Sequence, residues 1–304
     1  MRVLSFGEIL WDIIEGDPYI GGAPFNFAAH LAKMGVASAM ITSVGLDNLG
    51  AEAIAAAKRL GVDARFITRR PDLPTGTVDV VLRSGGSPSY VIHDNTAWDA
   101  ITLDQTQGDH LGQEEWDFLC FGTLAQRTEH NRALLAHVLA AARPKEVLYD
   151  VNLRQNFFRK EWIEQSLRAC SVLKLNGEEA DVLSEMLFDS TMDFQPFSEA
   201  VSKEYDIPVV CVTLGEEGAA IFDHGRNAWV PGTPISVVDT VGAGDAFAAA
   251  FVFSLLYEKT AVEATYLACR VGAWVASQRG AVPEYSDEIE RQLERVRTGP
   301  VVKS

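Results

Sequence analysis

Four cysteines are all that 304 residues contain, and Cys120, Cys170, Cys211 and Cys269 lie far apart with no C-x-x-C pair. Three sit in apolar runs: Leu119-Cys120-Phe121, Val210-Cys211-Val212 and Ala268-Cys269. That context predicts buried free thiols in a reducing compartment and argues against zinc binding. The six histidines are scattered without close pairing, so no tightly bound transition metal is expected. Positive charge is scarce as well: 26 Lys and Arg stand against 42 Asp and Glu, a net charge of −16. An acidic chain repels nucleic acid and anionic membrane, so neither is expected as a partner. No apolar run is long, since the stretch 246–257 falls well short of the ~20 residues that cross a bilayer. The apolar N-terminal stretch is broken by Glu8 and Asp12 and reads as a strand rather than a signal peptide, so a cytoplasmic protein is expected. No internal repeat occurs, and the pattern G-x-x-x-x-G-K-S/T is absent, which excludes a Walker-type phosphate loop.

What is present is a chain able to bury a substantial core, with 47% hydrophobic and 22% charged residues, as one large α/β domain or two smaller ones. Short β-rich runs alternate with longer helical ones. Strands are predicted at 2–6, 38–44, 118–121, 146–149, 172–175 and 209–213, and helices at 26–34, 49–60, 131–142, 161–168, 177–186 and 196–204. This alternation predicts a mostly parallel sheet with helices on both faces, whose ligands bind beyond the carboxyl ends of the strands. Two pieces break the pattern. Segments 77–82 and 89–92 flank the turn Ser84-Gly85-Gly86-Ser87-Pro88 and read as a hairpin, and the short extended piece 13–20 interrupts the first β/α unit. The two could join in an accessory sheet over the site, or lie as surface hairpins.

The most informative segment is Asp239-Thr240-Val241-Gly242-Ala243-Gly244-Asp245-Ala246-Phe247. It sets a small-residue turn at the mouth of an apolar helix, where unpaired N–H groups and the positive end of the helix dipole suit a phosphate. Asp245 places a carboxylate where an anion would sit, which a base taking a proton from an attacking hydroxyl explains. The helix mouth is expected to keep it ionised. An Asp in a first helical turn also favours the dipole without any catalysis. Phe247 stands where a dinucleotide fingerprint needs Gly or Ala, which argues against an NAD-dependent oxidoreductase.

Other segments also follow predicted strands. Gly21, Gly22 and Asn26 precede a helix, where Asn26 suits either a polyol or a cap; Asp12 suits two sugar hydroxyls or solvent. Asn176 and Glu179 share a helix face, able to meet an ion or its water shell, or to form a capping box. After the strand that ends at Thr213, Gly215 and Gly218 open amides toward a phosphate, or form a plain hairpin turn. Arg154, in Asp150-Val151-Asn152-Leu153-Arg154, suits a phosphate or an acidic sugar, or a surface ion pair.

The ordered motifs G-G-x-x-x-N at 21, D-x-N-x-R at 150, N-x-x-E at 176, T-x-G-x-x-G at 213 and D-T-x-G-A-G-D at 239 resemble the ribokinase-like PfkB family of carbohydrate kinases across essentially the whole chain. Gly7–Asp12, Asn95–Asp99 and Phe121–Arg127 look most like bacterial fructokinases. The resemblance implies a three-layer α/β/α sandwich with a mostly parallel sheet and a small β-sheet lid. It implies a single domain over 1–304, with lid insertions at about 13–21 and 73–98. It also implies ATP- and Mg2+-dependent phosphorylation of a sugar hydroxymethyl group, fructose to fructose 6-phosphate. A 2-keto-3-deoxygluconate kinase, a ribokinase or a catalytically silent sugar-binding protein are the alternatives. On this likeness Asp245 is the base, and the amides of Gly242, Ala243 and Gly244 form an anion hole. Asp12, Gly21, Gly22, Asn26 and Arg154 hold the sugar. Asn176, Glu179, Thr213, Gly215 and Gly218 serve the nucleotide, with Glu179 meeting Mg2+ through water. Asp239, with the carbonyls of Val241 and Gly280, is the implied counterpart of a K+ site. Exposed lid edges could pair two copies in a homodimer.

Overall fold

Val209–Thr213 is apolar at every position but its last, as a strand covered on both faces must be. The computed structural model describes residues 1–82 and 88–299, so the turn 84–87 lies outside the described residues. In chain order the strands are β1 (Arg2–Phe6), β2 (Leu10–Ile14), β3 (Asp17–Gly21), β4 (Ala37–Gly45), β5 (Ile67–Arg70), β6 (Gly76–Leu82), β7 (Pro88–Ile92), β8 (Phe118–Gly122), β9 (Glu146–Asp150), β10 (Val172–Asn176), β11 (Val209–Thr213), β12 (Gly218–Asp223) and β13 (Arg226–Pro231).

Nine strands form one sheet in the order β13-β12-β11-β10-β9-β8-β1-β4-β5. It is parallel from β5 through β11, and β12 and β13 close it as an antiparallel edge. Alternate strand residues face two cores. Val3 and Cys120 pack against the helices Ala23–Lys33, Ala243–Leu256 and Ala261–Ala276, and Leu4 and Phe121 pack against the helices on the other face. The result is the three-layer sandwich that the alternation predicts.

The second sheet has the order β3-β2-β6-β7. The segment 13–20, expected as one extended piece, is instead a hairpin: Glu15 and Gly16 both have positive φ (53° and 93°), which turns the chain in two residues with Ile14 opposite Asp17. Leu10 lies between Gly21 and Gly76, and Asp12 between Tyr19 and Val78. These rows share one face because side chains alternate. On the other face, Ile13 and Ile20 pack against Phe25 and Val44 of the main body. Segment 93–101 is fixed to the large sheet by Asp99, whose carboxylate takes Arg127 Nε at 2.6 Å and Nη2 at 2.7 Å. The sequence reading missed β5, β12, β13 and the helices Gln105–Gln113, Ala261–Ala276 and Asp287–Thr298.

Gly76 shows how tightly the small sheet is seated. A Cβ there would collide with the indole nitrogen of the fully buried Trp98, whereas one at Gly108, inside the helix Gln105–Gln113, would meet nothing within 4 Å. Gly76→Ala should therefore lose about 1–3 kcal/mol through overpacking. Gly108→Ala should gain about 0.4–1 kcal/mol. Urea unfolding midpoints of the two variants check the pair.

Candidate active site

Two helices begin at the same place. Ala23–Lys33 starts at Gly22 and carries Asn26 in its first turn; Ala243–Leu256 starts at Gly242 and carries Asp245 in its own. Asn26 Nδ2 donates to Asp245 Oδ2 at 2.8 Å, so Asn26 is a side-chain partner of Asp245 and not a cap. Gly242 has φ 78°, and a Cβ there would stand 2.6 Å from Ala281 O, so conformation and space both demand glycine. Ala243 N–H turns back to Thr240 O at 3.2 Å. The amides of Gly242, Gly244 and Asp245 meet no acceptor among the described residues, which leaves donors at the positive end of the helix.

Beneath this mouth lies a buried ion pair. Lys174, the one charged residue of β10, sends Nζ to both oxygens of Asp150 at 3.0 Å each. A Cβ on Gly244 would stand 3.4 Å from that nitrogen. Burial works against the charge on Lys174, and the Asp150 and Glu179 carboxylates overcome it, so its pKa stands above the ordinary value.

Asp245 departs from the low pKa expected at a helix mouth. Burial pushes it up to about 6, with Asp150 adding to the rise, while Asn26, Lys174 and Arg154 pull it down. The dipole contributes some 0.3–1 kcal/mol at an exposed end, and the loss of hydration outweighs it. Asp12 behaves alike: burial lifts it to about 6 and Arg154 opposes the rise. Gly21 makes room for it, since a Cβ there would lie 2.7 Å from Asp12 Oδ2. Gly22, with φ 108°, lies directly over the carbonyl of Glu8. Arg154 is exposed, and its side chain makes no hydrogen bond or ion pair among the described residues; its field reaches Glu8, Asp12 and Asp245 together.

Asn176 and Glu179 form the capping box. Asn176 Oδ1 accepts from Glu179 N at 2.8 Å, and Glu179 Oε2 accepts from Asn176 N at 2.9 Å. Glu179 Oε1 takes Leu153 N at 2.8 Å, so each carboxylate oxygen already holds an amide. Thr213 ends β11 opposite Asn176, and its hydroxyl donates to Leu175 O at 3.3 Å. Gly215 stands in open space with φ 57°, whereas Gly218 packs under Val230 O in the β12–β13 hairpin. Asp239 joins its two expected neighbours through their amides: Oδ1 accepts from Val241 N at 3.0 Å and Oδ2 from Gly280 N at 3.3 Å. Among the described residues no cluster of three His, Cys, Asp or Glu side chains could hold a metal ion.

Lys174, Asp150 and Glu8 carried no role in the sequence reading. Their signal was present: a charged residue inside an apolar strand, or at its end, must find a partner when the strand is buried.

The geometry is that of a ribokinase-like fold. An uncharacterized sugar kinase from Pyrococcus horikoshii superposes with a TM-score of 0.82 at 27% identity, covering 98% of this chain and 100% of that one. A fructokinase from Vibrio cholerae, solved with fructose, ADP and calcium, gives 0.78 at 23% identity over 92% and 94% of the two chains. In sequence, an Escherichia coli fructokinase is 29% identical over 297 residues, 92% of this chain and 95% of that protein. Residues 13–287 match the pfkB family of carbohydrate kinases. The chain belongs to that family and is a sugar kinase.

Removing Lys174 leaves Asp150 as a buried unpaired charge. Lys174→Met should cost about 3–5 kcal/mol. Adding Asp150→Asn to it should restore more than half of the loss, as read from denaturant unfolding of the single and double variants.

Proposed function

We propose that the chain transfers the γ-phosphoryl group of ATP to a sugar hydroxymethyl group, with fructose as the acceptor and fructose 6-phosphate as the product. The observation that carries this reading is the Asn26–Asp245 hydrogen bond at a helix mouth with free amides at Gly242 and Gly244. Asp245, as a carboxylate, takes the hydroxyl proton while the oxygen attacks phosphorus. A loose transition state lets that proton leave late, so a weak base suffices. The amides of Gly242 and Gly244 and the charge of Lys174 face the oxygens of the phosphoryl group in flight. Ala243 serves through its small size and its bond to Thr240 rather than as a donor.

The nucleotide lies along Asn176, Thr213 and Gly215. Gly218 acts through the hairpin that shapes this edge. Because both oxygens of Glu179 already hold amides, Glu179 suits the water shell of Mg2+ rather than the ion itself. Bound there, Mg2+ would neutralise phosphate charge. Asp239, with the carbonyls of Val241 and Gly280, would hold K+ in the same manner. Asp12, from the small sheet, joins Gly21, Gly22 and Asn26 on the sugar, so that sheet serves as a lid. The exposed Ile14 and Tyr19 near its edge suit pairing of two copies.

A second reading rests on Arg154, whose open guanidinium suits the carboxylate of 2-keto-3-deoxygluconate. Against it, the field of that guanidinium already acts on the carboxyls of Glu8, Asp12 and Asp245, so an acidic sugar would add a fourth negative group to its surroundings. A neutral polyol fits that balance better.

ADP release with Mg2+ and ATP across fructose, 2-keto-3-deoxygluconate, ribose, tagatose, glucose and adenosine tests the reading. Fructose should turn over fastest, and a preference for the keto acid would move the specificity to Arg154. Asp245→Asn should lose about 10²–10⁴ in kcat while retaining sugar and ATP binding by calorimetry. Near-normal turnover in that variant would end its role as base.

The pH profile gives an independent check. The base acts ionised, so kcat/KM should fall as pH drops through about 6, the value to which burial raises Asp245. In Asn26→Ala the carboxylate loses a donor, and that acid limb should move upward by about one pH unit.

A further inference from the structure

Glu8 follows β1 by two residues and is only 3% exposed, yet its Oε2 has no hydrogen-bond partner. Leaving a buried acceptor unmade costs about 1–3 kcal/mol, more for a charged one, so a native chain keeps such a group where something else completes it. Glu8 lines a narrow cleft with Pro24, Gly122, Thr123, Asp150 and Asn152. Those residues mark the carboxyl ends of β1, β8 and β9 and the start of the helix Ala23–Lys33, where a ligand of a parallel sheet is received. Asp245 and Arg154 both act on the Glu8 carboxyl, and the helix that carries Asn26 begins against the Glu8 backbone, since a Cβ on its cap residue Gly22 would collide with Glu8 O. Two further buried atoms, on the helical segments that supply Pro24 and Leu124 to the cleft, also lack partners. Asn26 Oδ1 is the unused half of the amide that holds Asp245. Arg127 Nη1 belongs to a guanidinium stacked 4.2 Å from the Trp98 ring centroid, and its charge also reaches Glu8.

We propose that Glu8 is a specificity-determining residue of the sugar site, accepting a hydrogen bond through Oε2 from a sugar hydroxyl other than the one phosphorylated. The inference rests on the sugar-kinase reading above and names the acceptor as a neutral polyol with a second hydroxyl donor besides the one that reacts at Asp245. A hydroxyl fits because it can donate to Glu8 and still accept from a neighbouring N–H, whereas a carboxylate can only accept and would face Glu8 as a like charge. A site built to bond a hydroxyl rejects the analogue that lacks it far more strongly than an apolar pocket rejects a missing methylene, because the buried partner is left unpaired.

The test is a cycle between protein and substrate. The acceptor is the sugar that turns over fastest in the panel above, together with its single-deoxy derivatives at each non-reacting carbon. In the wild type one deoxy derivative should lose at least about 10²-fold in kcat/KM. Glu8→Gln should lose a comparable factor on the parent sugar, and the same deoxygenation should then cost that variant less than about threefold. Glu8→Asp, which withdraws the oxygen by one methylene, should show the same loss of discrimination if Glu8→Gln fails to fold. Equal deoxy penalties in wild type and variant would overturn the inference and leave the kinase reading intact. A wild type silent on every sugar would overturn both.

Discussion

The site depends on taking carboxylates out of water without abandoning their charge. Asp245, Asp12 and Glu8 each lie where burial lifts their pKa, to about 6, 6 and 7. A fully desolvated carboxylate would cost several kcal/mol, which no single helix terminus can offset. The chain instead spreads the compensation. Asn26 donates to Asp245, Lys174 and Arg154 attract it, and Asp150 keeps Lys174 in place. The result is a group near the middle of its titration at mildly acidic pH, ionised at neutrality and still basic enough to receive a proton.

The same arrangement has a cost in stability that depends on pH. Carboxyls whose folded pKa exceeds the unfolded value ionise more readily in the unfolded chain. They therefore subtract stability as pH rises from the ordinary carboxylate range, near 4, toward about 7, and the loss is complete above that. Function and stability pull in opposite directions over this window, as is common where strain or desolvation is kept for chemistry. The extensive apolar packing of the helix Ala243–Leu256, buried from Ala246 through Ser254, supports a terminus that carries such a burden.

How much of this could be read from the sequence follows the range of the interactions. Apolar runs and their flanking glycines carry local information, so the parallel strands and most helices between them were legible, as was the Gly242–Asp245 helix mouth. The Glu15-Gly16 turn was not, because Glu seldom adopts positive φ and nothing nearby announced it. The short strand β5 is mostly polar and pairs with β4 well back along the chain, and β13 mixes polar and apolar residues, so neither shows a clear apolar run. Within the site, residue types were legible but pairings were not. Asn26 suited a cap or a polyol equally in isolation, and only a bond across 219 positions makes it a partner of Asp245. Lys174 lay in plain view in an apolar strand, yet its partner Asp150 sits 24 residues away on the next strand. Asn176 and Glu179 show the reverse: the capping geometry is local, and it fills both carboxylate oxygens before any ion arrives.

The two sheets divide the work unequally. The large sheet and its helices bring together Glu8, Asn26, Asp150, Lys174 and Asp245, from within a strand, at or just past strand ends and in first helical turns. The small sheet adds Asp12 on the face shared with Leu10 and Tyr19. Its seating is fixed from one side by Ile13 and Ile20 against the main body and from the other by Trp98 under Gly76. On the proposed function, a sugar held between Asp12 and Asn26 would bridge both sheets, and its binding energy would act on their relative position as well as on the hydroxyl. Water excluded by that bridge would strengthen every charge interaction around Asp245, so on that proposal the sheet that contributes least to the chemistry would control the medium in which it occurs.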